Sequence, residues 1–198
     1  MKERRATAPG RVRVIAGRLR NSRLDVPDLP GLRPTPERVR ETLFNWLAPY
    51  LAGARCLDLC AGTGALGIEA LSRGAAWVQF VECDVRAAQA LRGNLARLKV
   101  ETGHVAASDA RLFLQGAAQP SDVVFLDPPF ALHLWAALAQ QLERGAWLAA
   151  TAWIYVESPR GVVPSLPENW HLQREGQAGE VRFALYRRVS LCAPADVT

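Results

Sequence analysis

No apolar run in this chain of 198 residues approaches the roughly 18 that a membrane-spanning helix needs, so a protein built on such spans is excluded. No apolar stretch follows the charged start Met1-Lys2-Glu3-Arg4-Arg5, and no secretory signal is read there. Histidine is confined to His104, His133 and His171, which are scattered without the spacing of metal ligands, so no metal site is expected. The four cysteines, Cys56, Cys60, Cys83 and Cys192, form no Cys-x-x-Cys pair. Reduced thiols in a cytoplasmic protein are therefore expected, not disulfides or zinc. Repeats and low-complexity segments are also missing. What remains is a chain of 49% hydrophobic residues, long enough for one ordinary domain with a small appendage.

Lysine is scarce, and nearly all the positive residues are arginine, whose planar fork grips phosphate bidentately and stacks on bases. The charge is unevenly spread. Residues 1–40 hold 11 basic against 4 acidic side chains, a balance of +7, whereas residues 41–198 hold 13 against 15, a balance of −2. Arg11-Val12-Arg13-Val14 and Arg18-Leu19-Arg20 alternate with period two, as strands with one basic face do. Residues 11–26 thus read as two short strands turning near Ala16-Gly17, with a second turn at Asn21-Ser22. An ordered basic hairpin suits a polyanion. Because the main sheet is expected to begin at Arg55, a chain starting near Pro27 is expected to fold.

Pro27, Pro30 and Gly31 break regular structure. Thr35-Pro36 then reads as a helix start, with Thr35 as N-cap, and the helix runs to Leu51. Its apolar face is Val39, Leu43, Trp46 and Leu47, while Arg38, Arg40 and Asn45 fall elsewhere. Strands are expected at 55–59, 77–81, 103–106, 122–126 and 152–157, and helices at 64–73, 85–99, 110–116 and 132–144. Two last strands, 170–175 and 181–187, are joined by the short spacer 176–179 and form an antiparallel hairpin. This alternation predicts an α/β fold, a mostly parallel seven-stranded sheet with helices on both faces. Residues 1–30 form the basic hairpin extension, 31–190 the main domain and 191–198 a flexible tail.

Two stretches carry chemistry. In the first, the strand Cys56–Leu59 runs into Cys60-Ala61-Gly62-Thr63-Gly64-Ala65-Leu66-Gly67, which matches G-x-G-x-x-G, and Glu82 lies 20 residues after Gly62. That is also the dinucleotide fingerprint, so a nicotinamide-dependent oxidoreductase is a rival reading. Asp58 favours S-adenosylmethionine, because a carboxylate there engages an ammonium and repels a pyrophosphate. Asp109 can accept from an adenine amine, and Glu82 from ribose hydroxyls. In the second stretch, Asp127-Pro128-Pro129-Phe130 follows the apolar run Val123–Leu126, at a strand's carboxyl end, where ligands of open α/β sheets sit. A carboxylate, a carbonyl, a rigid turn and an aromatic face suit a planar base gripped by its amino group.

These residues together make the chain resemble the class I methyltransferases. More narrowly, it resembles the bacterial family that methylates the exocyclic N2 of one guanine in small-subunit (16S) ribosomal RNA. The resemblance covers roughly residues 12–188. It is carried by the block Gly31-Leu32-Arg33-Pro34-Thr35-Pro36-Glu37-Arg38-Val39-Arg40-Glu41-Thr42-Leu43-Phe44-Asn45-Trp46-Leu47, by Leu57–Ala75, by Asp127–Phe130 and by Ile154-Tyr155-Val156-Glu157. The family usually has glycine at Ala16 and an Arg-Gly-Arg-like step at Arg20-Asn21-Ser22-Arg23; Cys60 and Thr63 stand where Phe and Ser are common.

The resemblance implies a Rossmann-like fold and S-adenosylmethionine as cofactor, held by Asp58, Gly62, Gly64, Glu82, Asp109 and Asp127. It implies that Asp127 and the Pro128 carbonyl accept from the guanine amine, with Pro129 shaping the turn and Phe130 stacking on the base. Arg11, Arg13, Arg18, Arg20, Arg23, Arg33, Arg38 and Arg40 would hold the phosphates of ribosomal RNA within a partly assembled small ribosomal subunit, and the protein would act as a monomer. Adenine-N6 methylation competes with guanine-N2 methylation, and a non-catalytic RNA-binding assembly factor competes with both. A cytosine-C5 mechanism is disfavoured because no cysteine is expected near Asp127.

Overall fold

The computed structural model describes residues 10–29, 32 and 35–190. Arg33 and the expected tail 191–198 lie outside the described residues. No described helix is long and apolar enough to cross a membrane.

The chain opens with β1 (Gly10–Arg13) and β2 (Arg23–Val26), paired antiparallel with Arg13 opposite Arg23 and Arg11 opposite Asp25. Arg18-Leu19-Arg20 does not continue β1. It lies in a tight turn closed by Arg20 N–H to Gly17 O and Ser22 N–H to Leu19 O. The alternation survives as burial: Val12, Val14, Leu19, Leu24 and Val26 face inward, and the arginines between them face out.

Helix α1 (Glu37–Leu51) buries Val39, Leu43, Phe44, Leu47 and Leu51, and also Arg40, which the helical pattern sets apart from the apolar face. Pro36 is its N-cap, without a side-chain cap. Thr35 is not the expected N-cap, because its hydroxyl faces Glu157 instead. The body follows as β3 (Arg55–Asp58), α2 (Ala65–Ser72), β4 (Trp77–Glu82), α3 (Val85–Arg97), β5 (Gly103–Ala107), α4 (Ala110–Phe113), β6 (Ser121–Leu126), α5 (Trp135–Arg144), β7 (Leu148–Pro159), β8 (Trp170–Ala178) and β9 (Val181–Val189).

One seven-stranded sheet has the order β5-β4-β3-β6-β7-β9-β8. Strands β3 to β7 are parallel, and β9 runs antiparallel to both β7 and β8. The central strands are buried on both faces, which is why β6 reads as a continuous apolar run over Val123–Leu126. One apolar cluster lies on the side of α1, α2 and α3, the other on the side of α4 and α5. The last hairpin turns at two residues, Gly179-Glu180, because Ala178 pairs with Val181. Gly176 lies inside β8: a Cβ there would sit 2.4 Å from the Phe183 ring, so glycine lets that ring cross the strand.

The hairpin β1–β2 belongs to the first of these clusters. Ile15 N–H and Ala16 N–H donate to the Glu69 carboxylate at 2.7 and 3.0 Å, and Leu19 N–H donates to Ser72 Oγ at 3.0 Å. Asn94 pairs with both the N–H and the carbonyl of Asp25 at 3.0 Å. Against the expectation that a chain starting near Pro27 folds unaided stands the fact that such a chain leaves Glu69, Ser72 and Asn94 without these hairpin partners.

Candidate active site

Strand register puts Phe80, Asp58, Phe125 and Tyr155 side by side across β4, β3, β6 and β7. Side chains two residues further on share the same face. Glu82, Asp127 and Glu157 therefore stand one pleat above Asp58, at the carboxyl ends of neighbouring strands, on the side of α1 and α2. The chain leaves β3 toward β4 and β5 in one direction and crosses to β6 and β7 in the other. Their carboxyl ends flank the switch point where open α/β sheets bind ligands.

The loop after β3 is held from within. Ala61 N–H donates to Val81 O, and Gly64 N–H to Ala61 O. Gly62 and Gly64 have φ of 52° and 74°, a region other residues enter only with strain. A Cβ on Gly64 would lie 2.2 Å from Leu91, so this glycine answers to packing against α3 as well as to the turn. Gly67 lets α2 close on Phe80, also 2.2 Å from a Cβ added there. Asp58 is buried and accepts from Gly67 N–H at 2.9 Å. Burial pushes its carboxyl up to about 7, with the Gly67 bond opposing and Glu82 adding to the rise. Glu82 accepts from Gly62 N–H at 2.7 Å and Asp84 N–H at 2.8 Å, tying the glycine loop to the end of β4.

Asp109 caps α4 by accepting from Arg111 N–H at 2.8 Å, and its carboxylate also meets the Arg111 guanidinium at 2.9 Å. That guanidinium holds its carboxyl below the usual range. Asp127 directly follows β6 and is half-buried; burial, then Glu157, then Asp58 push its carboxyl well up. Pro128 is buried, Pro129 exposed, and Phe130 half-exposed, with its ring 5.9 Å from that of Trp135.

No cysteine is expected beside this motif, yet Cys60 lies there: burial and then the charge of Asp127 push its thiol upward. The ground for setting aside a cysteine nucleophile therefore changes: a thiol is near, but its surroundings disfavour the thiolate that would attack.

Glu157 belongs to the block Ile154–Glu157, for which the motif implies no role. It is buried, its Oε1 accepts from Tyr155 O–H at 2.7 Å, and its backbone carbonyl accepts from Trp135 Nε1 at 2.7 Å. A signal for it exists in the sequence: Glu157 ends an apolar strand with an acid, as Asp58, Glu82 and Asp127 do.

The basic residues divide. Arg11, Arg13, Arg18, Arg20, Arg23 and Arg38 are exposed. Arg13 meets Glu37 and Asn21, and Arg11 lies 3.9 Å from Asp25. Arg40 is 3% exposed and donates to Thr35 O at 3.1 Å and Arg13 O at 3.0 Å, with Glu69 at 3.8 Å. Arg40 is thus corrected from a phosphate ligand to a buried brace. Arg97, which no sequence pattern singles out, donates to Arg23 O at 2.6 Å and adds its charge beside the hairpin.

A sheet of this order, with one antiparallel strand between β7 and β8 and acids at the strand ends beside a glycine loop, is that of the Rossmann-like methyltransferases. The solved structure of an Escherichia coli protein, described there as a proposed methyltransferase, superposes with a TM-score of 0.85 at 47% identity, covering 91% of this chain and 99% of that one. Residues 12–187 match the family described as Conserved hypothetical protein 95. The chain is 49% identical over 189 residues to ribosomal RNA small subunit methyltransferase D of Escherichia coli K12, covering 95% of this chain and 96% of that one. It is 46% identical over 184 residues to the Haemophilus influenzae protein of the same name, covering 91% and 95%. The chain belongs to the ribosomal RNA small subunit methyltransferase D family.

Proposed function

We propose that this protein transfers a methyl group from S-adenosylmethionine to the exocyclic N2 of a guanine in small-subunit (16S) ribosomal RNA. The observation that carries the reading is the position of Asp127-Pro128-Pro129-Phe130, at the end of β6 and one strand from the glycine loop. The donor set fits this cofactor. Asp58 and Glu82 offer acceptors to a cationic amino acid moiety and to a ribose diol; Glu82 would serve the ribose of either cofactor, and a carboxylate at Asp58 counts against a pyrophosphate and so against a nicotinamide cofactor. Gly62 and Gly64 keep side chains off the loop, and Asp109 stands at the end of β5, where an adenine amine would find an acceptor.

When bound, the cofactor supplies an activated methyl: its S–C bond breaks as the new N–C bond forms. The chain's own part is placement. A guanine amine is a weak nucleophile, because its lone pair is delocalised into the ring. Asp127 and the Pro128 carbonyl accept from it, orient the lone pair and leave Asp127 as the nearest acceptor for the departing proton. Phe130 stacks on the base, which must be unpaired or flipped to enter, a contact worth about 1–3 kcal/mol. Residues 1–30 act as the RNA-facing extension of a methyltransferase domain spanning 31–190. The exposed Arg18, Arg20 and Arg23 support that role, since among the described residues none of them has an acidic partner. We take the working form to be a cytoplasmic monomer acting on a partly assembled small subunit.

Nucleoside mass spectrometry on ribosomal RNA from a deletion strain tests the reading. One N2-methylguanine should disappear and return with the wild-type gene but not with Asp127→Ala. An unchanged N2-methylguanine content would overturn it.

A further inference from the structure

Three carboxylates, Asp58, Asp127 and Glu157, lie on one face of the sheet at adjoining strand ends. Among the described residues none of them is ion-paired to an arginine, lysine or histidine. The groups facing the Asp127–Glu157 pair are acids or neutral: Asp58 from β3, the Cys60 thiol after it, Tyr155 from β7 and Thr35 from the segment before α1. Opposite Glu157, β9 offers only Phe183. Among the described residues the nearby cations are committed elsewhere. Arg182 stands opposite Ser158, on the other face, and is held by Glu175 and Tyr186. Arg40 is tied to Thr35 O, Arg13 O and Glu69. His133 lies against Trp135.

Two carboxylates at neighbouring strand ends, one buried and one half-buried, with no cation paired to either among the described residues, oppose each other's ionisation at neutral pH. One proton therefore stays with the pair. Glu157 accepts from the Tyr155 hydroxyl and faces that of Thr35, and both contacts favour its charged form. The proton then resides mainly on Asp127, the very group that must accept from the substrate amine. A protonated Asp127 presents an O–H where an acceptor is needed. A positive charge brought into the site removes the conflict.

We propose that Glu157 is a positioning residue for methyl transfer, holding one proton on Asp127 in the free protein so that Asp127 becomes a full acceptor only when a cationic methyl donor has bound. The proposal rests on the guanine-N2 reading and deepens it. The proton balance closes: the sulfonium enters, Asp127 loses one proton to solvent, and the carboxylate faces the amine. After transfer the sulfur is a neutral thioether, and the pair can hold a proton again.

The test has two readouts. Proton release on binding S-adenosylmethionine and S-adenosylhomocysteine is measured by titration calorimetry in two buffers of different ionisation enthalpy, near neutral pH. The wild type should release more protons with S-adenosylmethionine than with S-adenosylhomocysteine, and Glu157→Gln should erase most of the difference. The acid limb of kcat/KM should move to lower pH by about one unit in Glu157→Gln, because Asp127 loses its like-charged neighbour. Tyr155→Phe, which keeps the ring packing, should move it the same way by less, because Glu157 then takes the proton more readily. Equal proton release for the two ligands in the wild type, or an acid limb unmoved in both variants, overturns the role of Glu157 while leaving the methyltransferase reading intact. Failure of the wild type to bind S-adenosylmethionine overturns both.

Discussion

The β1–β2 hairpin turns its arginines to solvent and buries Val12, Val14, Leu19, Leu24 and Val26, whereas the carboxyl edge of the sheet buries its charge and sets it beside the glycine loop. An exposed arginine costs little and reaches an anion through water. A buried acid without a counter-ion is expensive and persists where something supplies the missing charge. The first arrangement suits a long polyanion touched at many points, and the second a small cation held at one. Glu69 and Arg40 join the two regions: Glu69 lies on the helix that leaves the glycine loop, and it receives the hairpin's N–H groups. RNA gripped by the hairpin would thereby be held at a fixed distance from the methyl donor.

The comparison breaks most severely if the hairpin is removed. Five buried apolar side chains are worth about 1.5–3 kcal/mol each, comparable to the whole stability of a domain, about 5–15 kcal/mol. A chain starting at Pro27 should lose cooperative melting by circular dichroism. A sharp transition within a few degrees of the intact protein would show the hairpin to be an independent appendage.

Arg40→Ala comes next. It leaves Glu69, which is 0% exposed, with fewer partners and frees the carbonyls of Thr35 and Arg13. Breaking a buried pair from one side costs about 3–5 kcal/mol. Urea denaturation should show that loss, and a midpoint within error of wild type would return Arg40 to the surface set.

Asp127→Ala acts on chemistry instead. Methyl transfer should fall at least about 100-fold, the scale of losing one positioning contact, while S-adenosylmethionine binding by calorimetry stays within a few fold. Turnover near wild type would remove Asp127 from the mechanism. Gly64→Val, by contrast, cannot probe the ligand: the added side chain meets Leu91 and a positive φ, so it reports on folding.

What can be read from the sequence follows from where each signal lives. Short, mostly apolar strands that end in an acid or a turn mark their own bounds, so β3, β4 and β6 fall within a residue or two of their expected places. Strand β7 begins at Leu148, earlier than expected, because Ala149-Ala150-Thr151 lacks an apolar pattern and pairing with β6 shifts register between Ser121 and Val123. Asp58, Glu82 and Asp127 can be found because each ends an apolar run. Glu157 obeys the same rule and needs only that it be applied once more. Arg40 cannot be found that way: its partners lie 5, 27 and 29 positions away, and helical spacing gives no hint of them. Arg18-Leu19-Arg20 has the alternation of a strand, yet its backbone hydrogen bonds close a turn.

The smallest effect on the fold should come from Arg38, two residues before Arg40 on the same helix. Arg38 is exposed and makes no ion pair among the described residues, so Arg38→Ala should change stability by no more than about 0.5 kcal/mol. If the exposed arginines meet RNA phosphates, the same change must appear in salt dependence. Each lost phosphate contact lowers the slope of log affinity against log salt by about 0.7–0.9. Two salt titrations on one small-subunit RNA fragment, wild type and Arg38→Ala, read this directly. A flatter slope with unchanged melting is the expected pair of results. Arg40→Ala at reduced temperature, where it stays folded, should keep a steeper slope than Arg38→Ala, because a buried guanidinium has no phosphate to lose. Parallel slopes for Arg38→Ala and wild type would place the RNA surface away from the start of α1, leaving the hairpin arginines and Arg97 to carry it.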